Sequence, residues 1–209
     1  MAIQVNGTTV IDNSRNLTNI TSVDSTTATA IGNAGVGGGL TLLRTTTFSG
    51  SYSSIDITLD SGYKFHRLVY SMPVPSTGWN GVQLRFFDPT STIISGGEYD
   101  WTGWNNQSDS NGAGTGYALA SYTYHRNLSG DFIYGTMDIY NARESNRQTT
   151  WNISNAERSS GYGGSSTVKA VFHGAMRNTE VNTKVRFFPS ADYLSTQSGR
   201  TDFIQTYAV

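Results

Sequence analysis

The 209-residue chain contains no cysteine. A disulfide framework, thiolate catalysis and thiolate metal sites are excluded, so stability has to come from packing or from assembly. Charge is also scarce: Asp, Glu, Lys and Arg make up 14% of the residues, the formal net charge is -1 and the sequence pI is about 6.3. Without a basic surface, neither nucleic acid nor an anionic membrane is an expected partner. No apolar run approaches the roughly 20 residues of a spanning helix, so no membrane insertion is expected. Residues 1–12 carry neither the basic nor the apolar part of a secretory signal, and no classical export is expected.

The short catalytic motifs are missing too: no GxSxG, no HExxH, no P-loop. His66, His125 and His173 fall in three separate predicted strands, a pattern of packed or surface residues rather than of a metal site. Asp109-Ser110-Asn111-Gly112 begins like a calcium loop but lacks the later acidic ligands, and reads as a solvated turn. The expectation is therefore no catalytic residue, no metal and no cofactor. One enzymatic alternative stays open, because Glu98, Asp100 and Asp131 could meet across a sheet at the spacing that glycoside cleavage requires.

What the chain does have is 23 Gly, 12 Tyr, 9 Phe and 4 Trp among many Ser, Thr and Asn. Aromatic and β-branched residues favour strands, and Gly, Asn, Asp and Ser mark turns, so the composition predicts an all-β fold. Residues 32–39, read Gly-Asn-Ala-Gly-Val-Gly-Gly-Gly, form a Gly-rich hinge between an N-terminal segment, 1–39, and a main domain, 40–209. Beyond the hinge, short alternating runs recur between turn clusters, as in a sandwich or barrel. The predicted strands are 54–59, 65–72, 82–86, 93–101, 117–124, 132–140, 149–153, 168–173, 181–187 and 203–207. No stretch carries a helical stripe, and about ten strands are too many for one flat sheet, which predicts two packed sheets in a jelly-roll-like β-sandwich.

An internal echo links Gln83-Leu84-Arg85-Phe86-Phe87 with Lys184-Val185-Arg186-Phe187-Phe188. It predicts two similar strands with Arg85 and Arg186 outward and their neighbours in the core. The segment Tyr99-Asp100-Trp101-Thr102-Gly103-Trp104-Asn105-Asn106-Gln107 reads as a loop that mixes aromatics with amides and hydroxyls. Indole faces stack on the C–H faces of sugar rings, and amide groups supply the donors and acceptors that sugar hydroxyls require. Tyr99, Trp101, Trp104 and Asn105, with Trp79 in another loop, are the candidate saccharide-binding residues. An equal alternative has Trp101 and Trp104 anchoring a long connection to the sandwich.

In the N-terminal segment, Ile3 and Val5, the Asn6-Gly7 turn and then Val10 predict a small hairpin. Leu17, Ile20 and Val23 recur every third residue, which suits an extended three-residue-per-turn path able to bury one stripe against copies of itself. With Ile11, these are the candidate attachment and oligomerisation residues. The other reading is a floppy polar tail.

Val5-Asn6-Gly7-Thr8-Thr9-Val10-Ile11-Asp12 followed by Arg15-Asn16-Leu17-Thr18-Asn19-Ile20 resembles the segment ahead of distal domains in bacteriophage virion proteins, especially fibre-like proteins of cyanophage-type viruses. The Ile-rich strand before Ser61-Gly62-Tyr63, the Leu84-Arg85-Phe86 strand, and Val185-Arg186-Phe187 with the closing 203–207 strand are similar to the jelly-roll domains that end such fibres. The resemblance implies a non-enzymatic homotrimer on the virion surface. Its N-terminal segment would meet tail, portal or capsid proteins, and its outer loops would bind host-surface glycan. Short tail fibre, head fibre and capsid decoration protein all stay open as positions on the particle.

Overall fold

The computed structural model describes residues 3–5, 8–11, 39–75, 81–105, 109–121, 132–159, 166–190, 193–196 and 200–209. Trp79, Leu17, Ile20, Val23, His125, Asp131 and hinge residues 32–38 lie outside the described residues. The chain divides into two units, Met1–Gly39 and Leu40–Val209. In the first, β1 (Ile3–Val5) pairs antiparallel with β2 (Thr8–Ile11), the small hairpin expected there; Ile3 is opposite Ile11 and Val5 opposite Thr8, and the register skips Val10.

The second unit is all-β and antiparallel, with no helix among its described residues. Its strands are β3 (Thr41–Phe48), β4 (Ser51–Tyr52), β5 (Ile55–Thr58), β6 (Phe65–Met72), β7 (Val74–Pro75), β8 (Val82–Phe87), β9 (Tyr99–Asn105) and β10 (Asp109–Thr115). They continue as β11 (Ala118–Leu119), β12 (Phe132–Tyr140), β13 (Thr150–Ser159), β14 (Ser166–Met176), β15 (Lys184–Pro189), β16 (Leu194–Ser195) and β17 (Asp202–Ala208). Eight of them form one sheet in the order β10-β9-β14-β13-β12-β6-β17-β3, and four form a second in the order β11-β8-β15-β5. β4, β16 and β7 form a small third sheet in the order β4-β16-β7.

Strict alternation explains why these segments are strands and which face each buries. Along β6, His66, Leu68, Tyr70 and Met72 are buried and Phe65, Arg67 and Val69 are not. On the facing sheet, Ile55 and Ile57, then Val82, Leu84 and Phe86, then Val185 and Phe187, point inward in the same way. One apolar cluster unites the two inner faces, as in a sandwich. Its aromatic centre is Phe86, Tyr99 and Trp151, with Phe86 and Trp151 ring centroids 5.5 Å apart and Tyr99 and Trp151 6.2 Å apart. Such ring pairs contribute about 1 kcal/mol each beyond the area they bury. Gly174 leaves the space that the Trp151 indole fills, since a Cβ there would meet the indole itself.

The echoed strands β8 and β15 are direct neighbours, with Arg85 opposite Arg186. Each guanidinium stacks diagonally on the other strand's phenylalanine: Arg85 lies 4.8 Å from the Phe188 ring and Arg186 4.9 Å from the Phe87 ring. Asp56 accepts two hydrogen bonds from Arg186, at 2.6 and 2.7 Å, which offsets the repulsion between the two arginines. The echo is thus a two-fold-like strand pair with outward arginines.

Three expectations need correction. The 99–107 segment is not a loop over its first seven residues: Tyr99–Asn105 is strand β9, and the strand expected at 93–101 is an isolated bridge at Ile93 followed by β9. Asp109-Ser110-Asn111-Gly112 is not a turn but part of β10, held by its ladder with β9. The second unit has fifteen strands among its described residues rather than about ten, because β3, β10 and the short β4, β7 and β16 were not expected.

Candidate functional site

The site follows from the parity of β9. Tyr99, Trp101 and Gly103 alternate with Asp100, Thr102 and Trp104, so the two tryptophans, three positions apart, face opposite sides of the eight-stranded sheet. Tyr99 is buried, its hydroxyl accepting from the Phe86 N–H at 2.7 Å and donating to the Ile94 carbonyl at 2.9 Å. Burial pushes the Tyr99 phenol well above its ordinary range, so it remains a donor. Trp101 packs half-buried against the core, its indole filling the space above Gly112. Trp104 stands on the outer face with 53% of its surface exposed. Asn105 ends the same strand.

The outer face around Trp104 is built from rows that run straight across the sheet. Strand register places Trp104 beside Val171, then Ser154, Thr136 and Val69. A second row runs Lys169, Ala156, Tyr134, Ser71 and Phe203. Small side chains at Ser154, Thr136 and Ala156 lie between the indole on β9 and the rings of Tyr134 and Phe203. They leave a hollow of about 630 Å³, within the range of small-molecule sites. Three strand spacings separate Trp104 from Tyr134, roughly 14 Å. The Tyr134 ring, 45% exposed, is steadied by Phe132, 4.9 Å away, and by the Arg200 guanidinium, 5.0 Å from its centroid.

On the other side of the Trp104 indole is a smaller hollow of about 280 Å³, lined by Thr102, Val171 and His173. The Asn152 side-chain oxygen Oδ1 lies 2.7 Å from His173 Nδ1 and orients the imidazole at the edge of this hollow. The Trp104 indole therefore borders two hollows, each mainly apolar with a few polar side chains. Such an arrangement can hold flat, amphipathic rings on both sides while hydroxyl, imidazole and ammonium groups meet their polar edges.

Of the carboxylates considered for cleavage chemistry, Asp131 lies outside the described residues and Asp100 is held in an ion pair. Asp100 accepts from Arg177 Nε at 3.0 and 3.1 Å and from the Gly114 N–H at 2.9 Å. The Arg177 hydrogen bonds, then the Gly114 amide, hold its carboxyl below the usual range, so it stays ionised. It sits four residues before Trp104 on β9, engaged in an ion pair.

Sequence reasoning named Trp104 but missed Lys169, Tyr134, Phe203, Val171 and His173, which the strand order brings to it. The available signal was an aromatic or long side chain at the outward parity of a strand: Tyr134 in β12 and Phe203 in β17 both occupy such positions. Comparison with known proteins gives no match: no family model, no curated protein and no solved structure matches the chain.

Proposed function

We propose that this chain is a structural protein of a bacteriophage virion, a short tail fibre or fibre-like protein. In this reading its β-sandwich binds host-surface glycan through the outer face of the eight-stranded sheet. The observation that carries the reading is the exposed Trp104 indole with a hollow on each side, since glycan binding selects flat aromatic platforms flanked by small polar groups. The glycan-binding residues move from the loops expected at first to the strand face.

The strand order supports the jelly-roll description. β3-β17-β6-β12 lies opposite β5-β15-β8-β11, and the chain alternates between the two sets as it does in paired Greek keys. β9-β10 and β13-β14 are then hairpin additions that widen one sheet and create the face on which Trp104 stands. A homotrimer on the virion surface is supported by an apolar row where β3 begins. Leu40, Leu42, Tyr140 and Val209 are exposed there, and the Phe65 and Tyr140 rings are 5.0 Å apart. β3 is also an open sheet edge, which assembly would cover.

That same apolar row favours a second reading, a capsid decoration protein with a purely structural role, in which these side chains pack on other virion proteins. Light scattering and a glycan array separate the two. The fibre reading expects a mass of three chains, reduced to one by Leu42→Glu, and glycan binding by the assembled protein. A monomer that binds no glycan refutes it and leaves the decoration role.

A further inference from the structure

We infer that the larger hollow beside Trp104 selects an anionic saccharide, whose carboxylate or sulfate sits at Lys169. This rests on the glycan-binding reading and adds the chemical class of the ligand. Lys169 is the one charged residue among the described residues that line the hollow, and it is exposed on β14 in the row that also holds Tyr134. No carboxylate pairs with it among the described residues.

The nearby carboxylates are already engaged. Asp138, on the outer face of β12, accepts two hydrogen bonds of 2.6 Å from Arg67. Asp100, on the outer face of β9, is held by Arg177. Asp202 is buried, 2.7 Å from Arg200 Nη2 and 2.8 Å from the Ser71 hydroxyl that donates to it. Glu157 lies on the opposite, buried face of β13, where Asn155 and Ser121 donate to it. The Lys169 ammonium is thus the charge presented on the outer face of the hollow, and an anionic ligand completes the pairing. A neutral saccharide would stack equally well on Trp104 but would leave the ammonium to water alone. The ring stacking and the charge thus act on different parts of one ligand: the indole takes the apolar ring face, and Lys169 takes the acidic substituent.

Four immobilised polymers test this: polygalacturonate with its carboxyl-reduced counterpart, and dextran sulfate with dextran. An exposed charge pair contributes about fivefold in affinity at low salt. The acidic member of at least one pair should therefore bind about fivefold tighter, and the pair that shows it identifies carboxylate or sulfate as the group recognised. The preference should disappear in Lys169→Gln and in high salt, and should persist in Lys64→Gln, which removes the same charge far from the hollow. Equal binding within both pairs, or a preference that survives Lys169→Gln, overturns the inference. The glycan reading would still stand if Trp104→Ala abolished that binding. Failure of the wild-type chain to bind any of the four polymers, or binding that is indifferent to Trp104→Ala, removes both.

Discussion

The two tryptophans of β9 should separate cleanly when each is replaced by alanine, one affecting binding and the other stability. A tryptophan side chain exposes up to about 250 Å² in the unfolded chain. Trp104 keeps 53% of its surface in the fold, so it buries roughly 120 Å². At about 25 cal/mol per Å² this is an upper figure of ~3 kcal/mol. Residual burial in the denatured chain and the burial retained by alanine reduce it to about 1–2 kcal/mol. Trp101 is packed against the core, and removing it leaves a cavity beside Gly112 as well as losing transfer energy, at a cost of about 3–5 kcal/mol. For a second unit of this length, about 2–4 °C of Tm accompanies each kcal/mol. Thermal unfolding should show a loss of a few degrees for Trp104→Ala and about 10 °C for Trp101→Ala. On a glycan array well below both transitions, Trp104→Ala should lose at least about thirtyfold in affinity, the scale of an aromatic hot spot, while Trp101→Ala keeps it. A folded Trp101→Ala chain that no longer binds, beside a Trp104→Ala chain that does, would refute the assignment of the two faces.

His66 is buried with neither ring nitrogen partnered among the described residues, and burial pushes its pKa down to about 4. The unfolded chain therefore binds a proton between pH 6.5 and 4 that the folded chain does not. This contribution, about 3 kcal/mol, is fully present above pH 6.5 and lost as pH falls through 4. Urea midpoints measured across that range check it, and a His66→Gln chain that loses as much stability on acidification as wild type would rule it out. Asn155→Ala should cost about 4 kcal/mol in urea unfolding, because it strips partners from the Tyr70 hydroxyl, the Ala120 carbonyl and the Glu157 carboxylate at once. Gly135→Ala should lower Tm by several degrees, since its Cβ would meet the Asn155 side-chain oxygen, which cannot move without losing the Tyr70 hydrogen bond, and the Ser154 carbonyl oxygen, which belongs to the sheet backbone.

Strands with an uninterrupted period of two were legible at once. Phe65–Met72 and Phe132–Tyr140 match their expected bounds, and Ile55, Ile57 and Leu59 share the buried face assigned to them. β3 was not legible because it is a sheet edge: Thr45 and Thr47 are exposed and only Phe48 is fully buried, so no apolar face marks it. β10, Asp-Ser-Asn-Gly-Ala-Gly-Thr, consists almost entirely of turn-favouring residues, and its extended form comes from pairing with β9. Here tertiary hydrogen bonding overrides propensity. Once β9 was read as a loop, the parity that sends Trp101 inward and Trp104 outward had no meaning. The remaining site residues could not be grouped by any local pattern. Tyr134, Lys169 and Phe203 lie 30 or more residues from Trp104, and only the strand order brings them together.

A site on a strand face also has a different physical character from one on loops, and the interior beneath this one is arranged to keep it still. The floor of the larger hollow includes Tyr70, Gly135 and Asn155, whose strands lie side by side. Directly below, the Tyr70 hydroxyl donates to Asn155 Oδ1 at 2.5 Å. The Asn155 amide donates to the Ala120 carbonyl at 2.6 Å and to Glu157 at 3.0 Å, and Ser121 donates to the second Glu157 oxygen at 3.0 Å. Burial, reinforced by the Glu157 charge, keeps the Tyr70 phenol protonated far above its ordinary range, so its donor role is constant. Gly135 is part of the same device, because only an absent side chain lets the tyrosine ring and the asparagine amide approach across β12. A satisfied buried network of this kind ties β6 and β13 to the chain at Ala120 and Ser121 and resists sliding of the strands that carry Ser154, Thr136 and Tyr134. The ligand then meets a surface already in its binding shape, and little of the stacking energy at Trp104 is spent on ordering the protein. On that account Asn155→Ala, in whatever fraction still folds, should weaken glycan binding through the floor of the hollow, although no atom of the Asn155 side chain faces the ligand.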